Sequence, residues 1–516
     1  MALNKVKSRQ NLLLGFSVFI FLALAIIFEI NSEKPQDLPE EIIKFSIKNF
    51  DGEIKIDWKV LIDKKKFDSV EVALNGEGVS ETKNFSTEDG SYSFLGGKHG
   101  KGYDIMFTVK KGNEVLGRNF TRALFLEYNK LPDFPILLIN TKNGQLPKYK
   151  IAQKEKEWFL GTTYTDAEVL DCEIIMLNHG KKIADSRGKI RVRGNTTITG
   201  IYKPYKLKLD NAADLLELGS EHAEKEWALL NIGDNINTYF VTELANLCNV
   251  EWQPQIRYVN LVINNDWIGC YILSETVKRG SNRVNISKSG YIFEMNPYFW
   301  RPGTKFFRTS NTDRHFGFTF KYPTGKALSN EKMNQLKIYL QKIENDLKSE
   351  NVAYNDYLDA ESFATWALVH DLSGNVDGAG SNVFFYKYDF NLENPNSSKI
   401  KMGPLWDFNN SFRVENNWSN SHYAVYLDQL FKIESFQQIY KDKFYSVKDR
   451  IIPALTENFN KINKNHWKAF QESWDLHSER WRFPYKKLED DIQFRLKFLE
   501  NQINWLDKKL QANDWN

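Results

Sequence analysis

Three side chains late in the sequence have the types and spacing for chemistry on a hydroxyl. Asp377 lies in Gly374-Asn375-Val376-Asp377-Gly378-Ala379-Gly380-Ser381-Asn382, five residues ahead of Asn382. Asp407 follows an aromatic strand, in Gly403-Pro404-Leu405-Trp406-Asp407-Phe408-Asn409. A carboxylate beside a hydroxyl can take its proton. Carboxylate and amide oxygens are the hard ligands that magnesium favours, with phosphate oxygens completing the shell. A base, metal-ligating oxygens and cationic or amide cover for phosphate are what phosphoryl transfer requires. Two carboxylates across a cleft could also serve glycoside hydrolysis, although nothing in the sequence marks a sugar groove. Read alone the spacing is weak, because aspartate in a glycine-rich loop is usually a turn former.

The elements that must position these residues belong to a region of about 133–510 that reads as α/β. Ile136-Leu137-Leu138-Ile139 and Ile174-Ile175-Met176-Leu177 are buried strand runs. Lys189-Ile190-Arg191-Val192-Arg193 alternates and enters the turn-forming loop Gly194-Asn195-Thr196-Thr197. Backbone amides at Gly194 could approach phosphate oxygens, with Arg193 and the hydroxyls of Thr196 and Thr197 assisting; a plain β-turn is the competing reading. Tyr205, Leu207 and Leu209 alternate with Lys206 and Lys208. Phe240, Leu244, Leu247 and Cys248 keep helical spacing within Tyr239–Cys248. Tyr258–Ile263, a turn at Asn264-Asn265 and Trp267–Leu273 form a hairpin pattern. The C-terminal third is helical over Ile451–Phe459, Trp467–Trp474 and Leu488–Leu510, where Trp474, Trp481 and Trp505 read as core or interface residues.

Two further segments precede this region. Lys5, Lys7 and Arg9 stand before an apolar run from Leu12 to Phe28, near the lower length limit for a membrane-spanning helix. The basic flank places the body outside the cytoplasm whether residues 1–30 are a signal anchor or are cleaved. Residues 31–41 read as a linker. From 42 to 127 short alternating runs end at turn residues. Ile54, Ile56, Trp58 and Val60 share one face, Val70–Leu74 ends at Asn75-Gly76, and Tyr103–Val109 ends at Lys111-Gly112-Asn113. This is a β-sandwich pattern that looks like a fibronectin type III module, with Trp58 as its core tryptophan and Tyr103 opening the tyrosine-corner strand. A spacer or adhesion role without chemistry is expected of it.

From Arg193 onward the chain resembles the CotH family of spore coat kinases. The resemblance rests on the order of Arg193-Gly194-Asn195-Thr196, Lys203-Pro204-Tyr205-Lys206-Leu207-Lys208-Leu209, a Trp227-Ala228-Leu229-Leu230 segment followed by Asp234-Asn235, and Asn264-Asn265-Asp266-Trp267-Ile268-Gly269-Cys270-Tyr271, with the Asp377 and Asp407 segments closing the set. It implies an atypical protein-kinase-like domain at 133–510. The implied activity is transfer of the ATP γ-phosphate, with Mg²⁺ or Mn²⁺, to a protein at the cell surface or envelope.

In ordinary kinases the base Asp precedes a metal-binding Asn by five positions, and a second metal Asp follows before a Phe. The resemblance therefore implies Asp377 as the catalytic residue and Asn382, Asp407 and Asn409 as metal ligands. Arg193, Gly194, Asn195, Lys206, Glu243 and Glu275 are implied on the nucleotide. Lys203 and Lys208 compete with Lys206 for the phosphate lysine. Asp234 competes with Glu243 for its acidic partner and is equally an N-cap of the helix that follows. Glu275 falls where a nucleotide-contacting hinge would lie. Asn409 stands where the family commonly has a second Asp, which puts metal affinity in doubt. Asp389–Ser398 reads as an inserted loop.

Taken together, the expected architecture is multidomain: an N-terminal transmembrane helix, a β-sandwich, then an α/β kinase-like domain with a helical C-terminal part. The alternative is a non-catalytic surface or envelope binding protein on the same scaffold, since ATP is scarce outside the cytoplasm. A net charge of +3 over 516 residues argues against nucleic-acid binding. Cys172, Cys248 and Cys270 lack zinc spacing and read as three buried thiols, with one disulfide and one thiol left over as the alternative.

Overall fold

The computed structural model describes residues 42–515 apart from 50, 143, 154–162, 195–196, 232–235, 311, 313–314, 350–352, 381 and 462–463. The apolar run at 12–28, the linker, Asn195, Thr196 and Asp234 lie outside the described residues. Among the described residues no helix is long and apolar enough to cross a membrane. The chain divides into two compact units. The smaller comprises the described residues up to Ser46, Lys55–Ser93 and Asp104–Thr121, and the larger comprises Ile47–Ile54, Phe94–Tyr103 and the chain from Arg122 onward.

The N-terminal strands are β1 (Ile43–Lys48), β2 (Ile54–Val60), β3 (Ser69–Gly76), β4 (Val79–Phe85), β5 (Asp89–Phe94), β6 (Gly102–Lys111) and β7 (Glu114–Leu124). They form a three-stranded sheet, β1-β2-β5, and a four-stranded sheet, β4-β3-β6-β7. The alternation read from the sequence is the burial pattern, since Ile54, Ile56, Trp58 and Val60 are all at most 4% exposed. Aromatic rings join the two inner faces. Phe45 stacks on Phe107 at 4.7 Å, and Trp58 meets Phe85 at 4.6 Å. The Tyr103 hydroxyl accepts a bond from the Lys98 N–H at 3.0 Å.

In the larger unit come β8 (Ile136–Thr141), a ribbon of β9 (Tyr149–Gln153) with β10 (Thr163–Ala167), then β11 (Leu170–Asn178), β12 (Lys181–Val192), β13 (Tyr205–Ala213) and β14 (Glu224–Asn231). Helix α1 (Asn237–Leu247) precedes β15 (Ile256–Ile263) and β16 (Asp266–Glu275). Strands β8, β11, β12, β13, β14, β16 and β15 close into a barrel. Closure comes from β8, which pairs antiparallel with β11 and parallel with β15. The β15–β16 turn has Asn264 and Asn265 both at positive φ, 55° and 64°, the backbone that a tight two-residue hairpin needs. Register fixes the barrel's two faces. Ile190, Leu207 and Trp227 form one cross-strand row, fully buried, while Arg191, Lys206, Ala228 and Ser274 form the adjacent row on the opposite face.

Beyond the barrel, β17 (Tyr291–Asn296), β18 (Phe306–Phe307), β19 (Gly317–Tyr322), β20 (Val383–Lys387) and β21 (Ile400–Met402) form a five-stranded sheet in the order β18-β19-β17-β20-β21. Helices α2 (Asn330–Leu347) and α3 (Ala360–Leu372) lie between β19 and β20 in the chain. Every residue of α3 except Glu361 and Ser362 is buried. Short α4 (Leu427–Leu430) leads to α5 (Glu434–Lys461), α6 (Lys464–Trp481) and α7 (Leu488–Gln511). All three cysteines are buried and unpaired, and burial pushes each thiol up to about 12.

Candidate active site

Two loops leave the same end of the β20–β21 ribbon. Antiparallel pairing sets Phe385 opposite Met402, and the Gly403 N–H donates to the Phe384 carbonyl at 2.8 Å. Asn382, one residue before β20, therefore starts from the strand end at which the Gly403–Asp407 segment departs. Gly374 ends α3 at φ 54°, and the Asn375 N–H returns to the His370 carbonyl at 3.1 Å. This left-handed stop turns the chain into the Asp377 loop. Hydrogen bonds then fix that loop. The Asn375 side chain accepts from the Asp377 N–H at 3.0 Å, and Asn420 Nδ2 donates to the Val376 carbonyl at 2.7 Å. Asn410 Nδ2 donates to Asp377 Oδ2, tying the two candidate loops together.

The buried side chains beneath are aromatic. His370, 2% exposed, lies 3.9 Å ring to ring from Trp366 and 4.9 Å from Phe408. Gly378 closes over the same imidazole, where an added Cβ would stand 2.7 Å from Nδ1. Asp371, next in the chain, accepts from the Ser419 N–H at 2.9 Å and the Tyr440 hydroxyl at 2.6 Å, and bonds His422 Nε2 at 2.9 Å. Burial acts to raise its carboxyl, but the charge of His422 together with these bonds outweighs it and holds the group below the ordinary value.

Asp407 sits at φ 63° and reaches solvent. Its surroundings are nonetheless dense enough that desolvation lifts its carboxyl above the usual range. Arg193 pulls it down, the charge of Asp377 lifts it further, and the Asn409 N–H lowers it. Arg193 follows β12 and lies 5.4 Å from the centre of the Trp406 ring. Burial lowers its pKa, Asp407 raises it and neighbouring Arg191 lowers it. The barrel thus brings an arginine to the acid pair of the second sheet. A carboxylate lifted by burial and by the charge of a second carboxylate, beside a cation, fits a divalent metal shared with phosphate, because the ion relieves that repulsion. Among the described residues no three His, Cys, Asp or Glu side chains gather as a metal site, so such an ion would take amide or phosphate oxygens as well.

The structure brings together Arg193, Asp377, Asp407 and, through its backbone N–H, Asn409. Asn382 borders the same loops at φ 61°. Gly194 is left-handed at φ 105°, where a Cβ would meet Thr197 Oγ1 at 2.1 Å, so only glycine fits this turn. The remaining residues are placed differently. Lys206 pairs with Glu226 on the neighbouring strand at 2.6 Å. Glu243 instead accepts from Asn458 Nδ2 on α5 at 2.9 Å, so Lys206 and Glu243 each have another partner, while the competing acid Asp234 lies outside the described residues. Lys203 donates to the carbonyls of Ile198 and Gly200 at 3.0 and 2.8 Å and so staples the loop after Gly194. Glu275 is fully buried. Its carboxylate lies 3.6 Å from Arg283 Nε and accepts the Gln255 N–H at 3.1 Å. Glu226, Asn410, Asn420 and His370 were not singled out from the sequence. Their roles come from packing across distant segments, and no local motif announces them.

A strand barrel carrying a glycine loop and an arginine, set against an acid–amide–acid set on two loops, is the kind of site that serves metal-assisted phosphoryl transfer. The CotH kinase protein family model matches residues 190–505. The chain belongs to the CotH kinase family. The match begins inside β12, so the earlier barrel strands lie ahead of it. A comparison with curated proteins gives no match.

Proposed function

We propose that this chain is an ATP-dependent protein kinase of the CotH type. The observation that carries the reading is the meeting of Arg193, Asp377 and Asp407 from three separate segments. Asp377 orients the acceptor hydroxyl and takes its proton through Oδ1, while Asn410 holds Oδ2. Asp407 and Asn382 would hold Mg²⁺ or Mn²⁺, with Asn409 contributing at least its N–H to Asp407. A bound ion would neutralise charge on the transferring phosphate. Arg193 and the Gly194 turn cover the phosphates from the barrel side. Lys206 stands beside Arg191 in register on the same barrel face, and its ion pair with Glu226 aims its ammonium.

The acceptor is a surface or envelope protein, and residues 1–30 hold the body at the membrane or export it. The β-sandwich acts as a spacer. The second reading, a binding protein on this scaffold, is favoured by Asn409 and by the scarcity of ATP outside the cytoplasm. The test is to incubate the purified full chain in mild detergent with labelled ATP, Mg²⁺ or Mn²⁺ and a generic protein acceptor. Metal-dependent label transfer is expected. No transfer with either metal would leave the binding reading.

A further inference from the structure

Asn237 opens α1 and is 4% exposed. Its amide works in two directions. Nδ2 donates to the carbonyls of Asn409 and Ser411, at 3.3 and 3.2 Å. Oδ1 accepts from Arg495 Nε on α7 at 2.6 Å. Arg495 is itself 5% exposed, donates from Nη1 to the Asp491 carbonyl at 2.9 Å, and pairs with the Asp491 carboxylate at 3.2 Å. The same guanidinium lies over the Phe412 ring at 5.7 Å.

The segment gripped in this way runs from Asp407 to Phe412 and begins and ends on left-handed residues, at φ 63° and 60°. Such residues hold their conformation only when their surroundings over-determine it. One amide takes two carbonyls of that segment, and one of the two belongs to Asn409, whose N–H meets the Asp407 carboxylate. A buried arginine is costly unless fully paired. Here its pairing fixes which way the Asn237 amide faces, donor toward the loop and acceptor toward α7.

We propose that Asn237, oriented by Arg495, is a positioning residue that sets the metal-binding geometry of Asp407. It touches neither nucleotide nor acceptor and acts through the Asn409 backbone. Helices α1 and α7 thereby control the site jointly, and a displacement of either changes metal affinity. The inference rests on the reading of Asp407 as a metal-holding residue.

Asn237→Asp separates the two directions, because it still accepts from Arg495 but cannot donate to the carbonyls. The experiment measures Mn²⁺ binding by electron paramagnetic resonance on the full chain, with a non-hydrolysable ATP analogue present, beside the melting temperature. Expected is tenfold or weaker Mn²⁺ binding in Asn237→Asp with a melting temperature within a few degrees of wild type. Equal binding by wild type and Asn237→Asp would overturn the positioning role and leave the kinase reading standing. No Mn²⁺ binding by wild type would overturn both. Should Asn237→Asp fail to fold, Arg495→Lys keeps the charge beside Asp491 but loses the Nε bond. It is expected to weaken Mn²⁺ in the same direction, and wild-type binding there would overturn the proposal.

Discussion

Lys206 on β13 and Glu226 on β14 form an ion pair of 2.6 Å, so the lysine finds its acid on the adjacent strand rather than on a helix. Both side chains are about two-thirds buried, and pairs of this kind add under about 1 kcal/mol to stability. Their value lies in direction. Lys206→Met is expected to weaken nucleotide binding roughly tenfold, the loss of one charge-assisted bond. Glu226→Gln should move binding in the same direction by less. Glu243→Gln should leave it unchanged, since that carboxylate serves Asn458. Calorimetric titration of the three variants with a nucleotide and Mg²⁺ separates these outcomes, and a larger loss in Glu243→Gln than in Glu226→Gln would refute the pairing.

Gly378 has no room for a side chain. A methyl there meets the buried His370 ring, and overpacking of this kind costs about 1–3 kcal/mol. Gly378→Ala is expected to lose that much stability in urea titration and most of its transfer activity, because the loop carrying Asp377 must lift. The cost should shrink in a His370→Ala background, where the obstructing ring is gone. Additive effects in the double variant would show that the two residues do not meet.

Much of this arrangement was legible beforehand. Period-two alternation located β2, β12, β13 and the β15–β16 hairpin because each has one apolar face. The order of short motifs located Arg193, Asp377 and Asp407, which the fold brings together. Helix α3 gave no signal. It is buried nearly all round, so its sequence carries no stripe of period 3.6. Glu226 carries no sequence signal as the acid of Lys206, because the diagonal contact depends on the β13–β14 pairing, in which Lys206 lies opposite Ala228 and Lys208 opposite Glu226. Asn237 and Arg495 are 258 positions apart and meet only in the folded chain.

His477 gives the protein an acid-sensitive core. Its ring is 2% exposed, packs 4.3 Å from Tyr202, and burial lowers its pKa to about 3. The folded state holds it neutral while the unfolded chain takes up a proton below the ordinary value of 6.5. Unfolding therefore binds a proton between those limits, and stability falls as pH drops from 6.5 toward 3. The slope is up to about 1.4 kcal/mol per pH unit. Denaturant titrations at pH 7 and pH 5 should show this decline, and His477→Leu should reduce it, leaving the part contributed by His370, whose pKa burial also lowers to about 3. An unchanged slope in that variant would mean the ring is charged in the folded protein.

On the proposed kinase reading, Asp377 handles the acceptor while Asp407 handles the metal. The most direct measurement compares Asp377→Asn and Asp407→Asn in the full chain for metal-dependent nucleotide binding and for label transfer from ATP. Asp377→Asn should bind Mg²⁺-nucleotide like wild type and lose transfer by on the order of 10²-fold or more, because it keeps shape but cannot take a proton. Asp407→Asn should lose transfer to a similar extent and also bind nucleotide more weakly, with a smaller difference between added metal and chelator. Transfer at the wild-type rate in both variants would rule out both roles and with them the kinase reading.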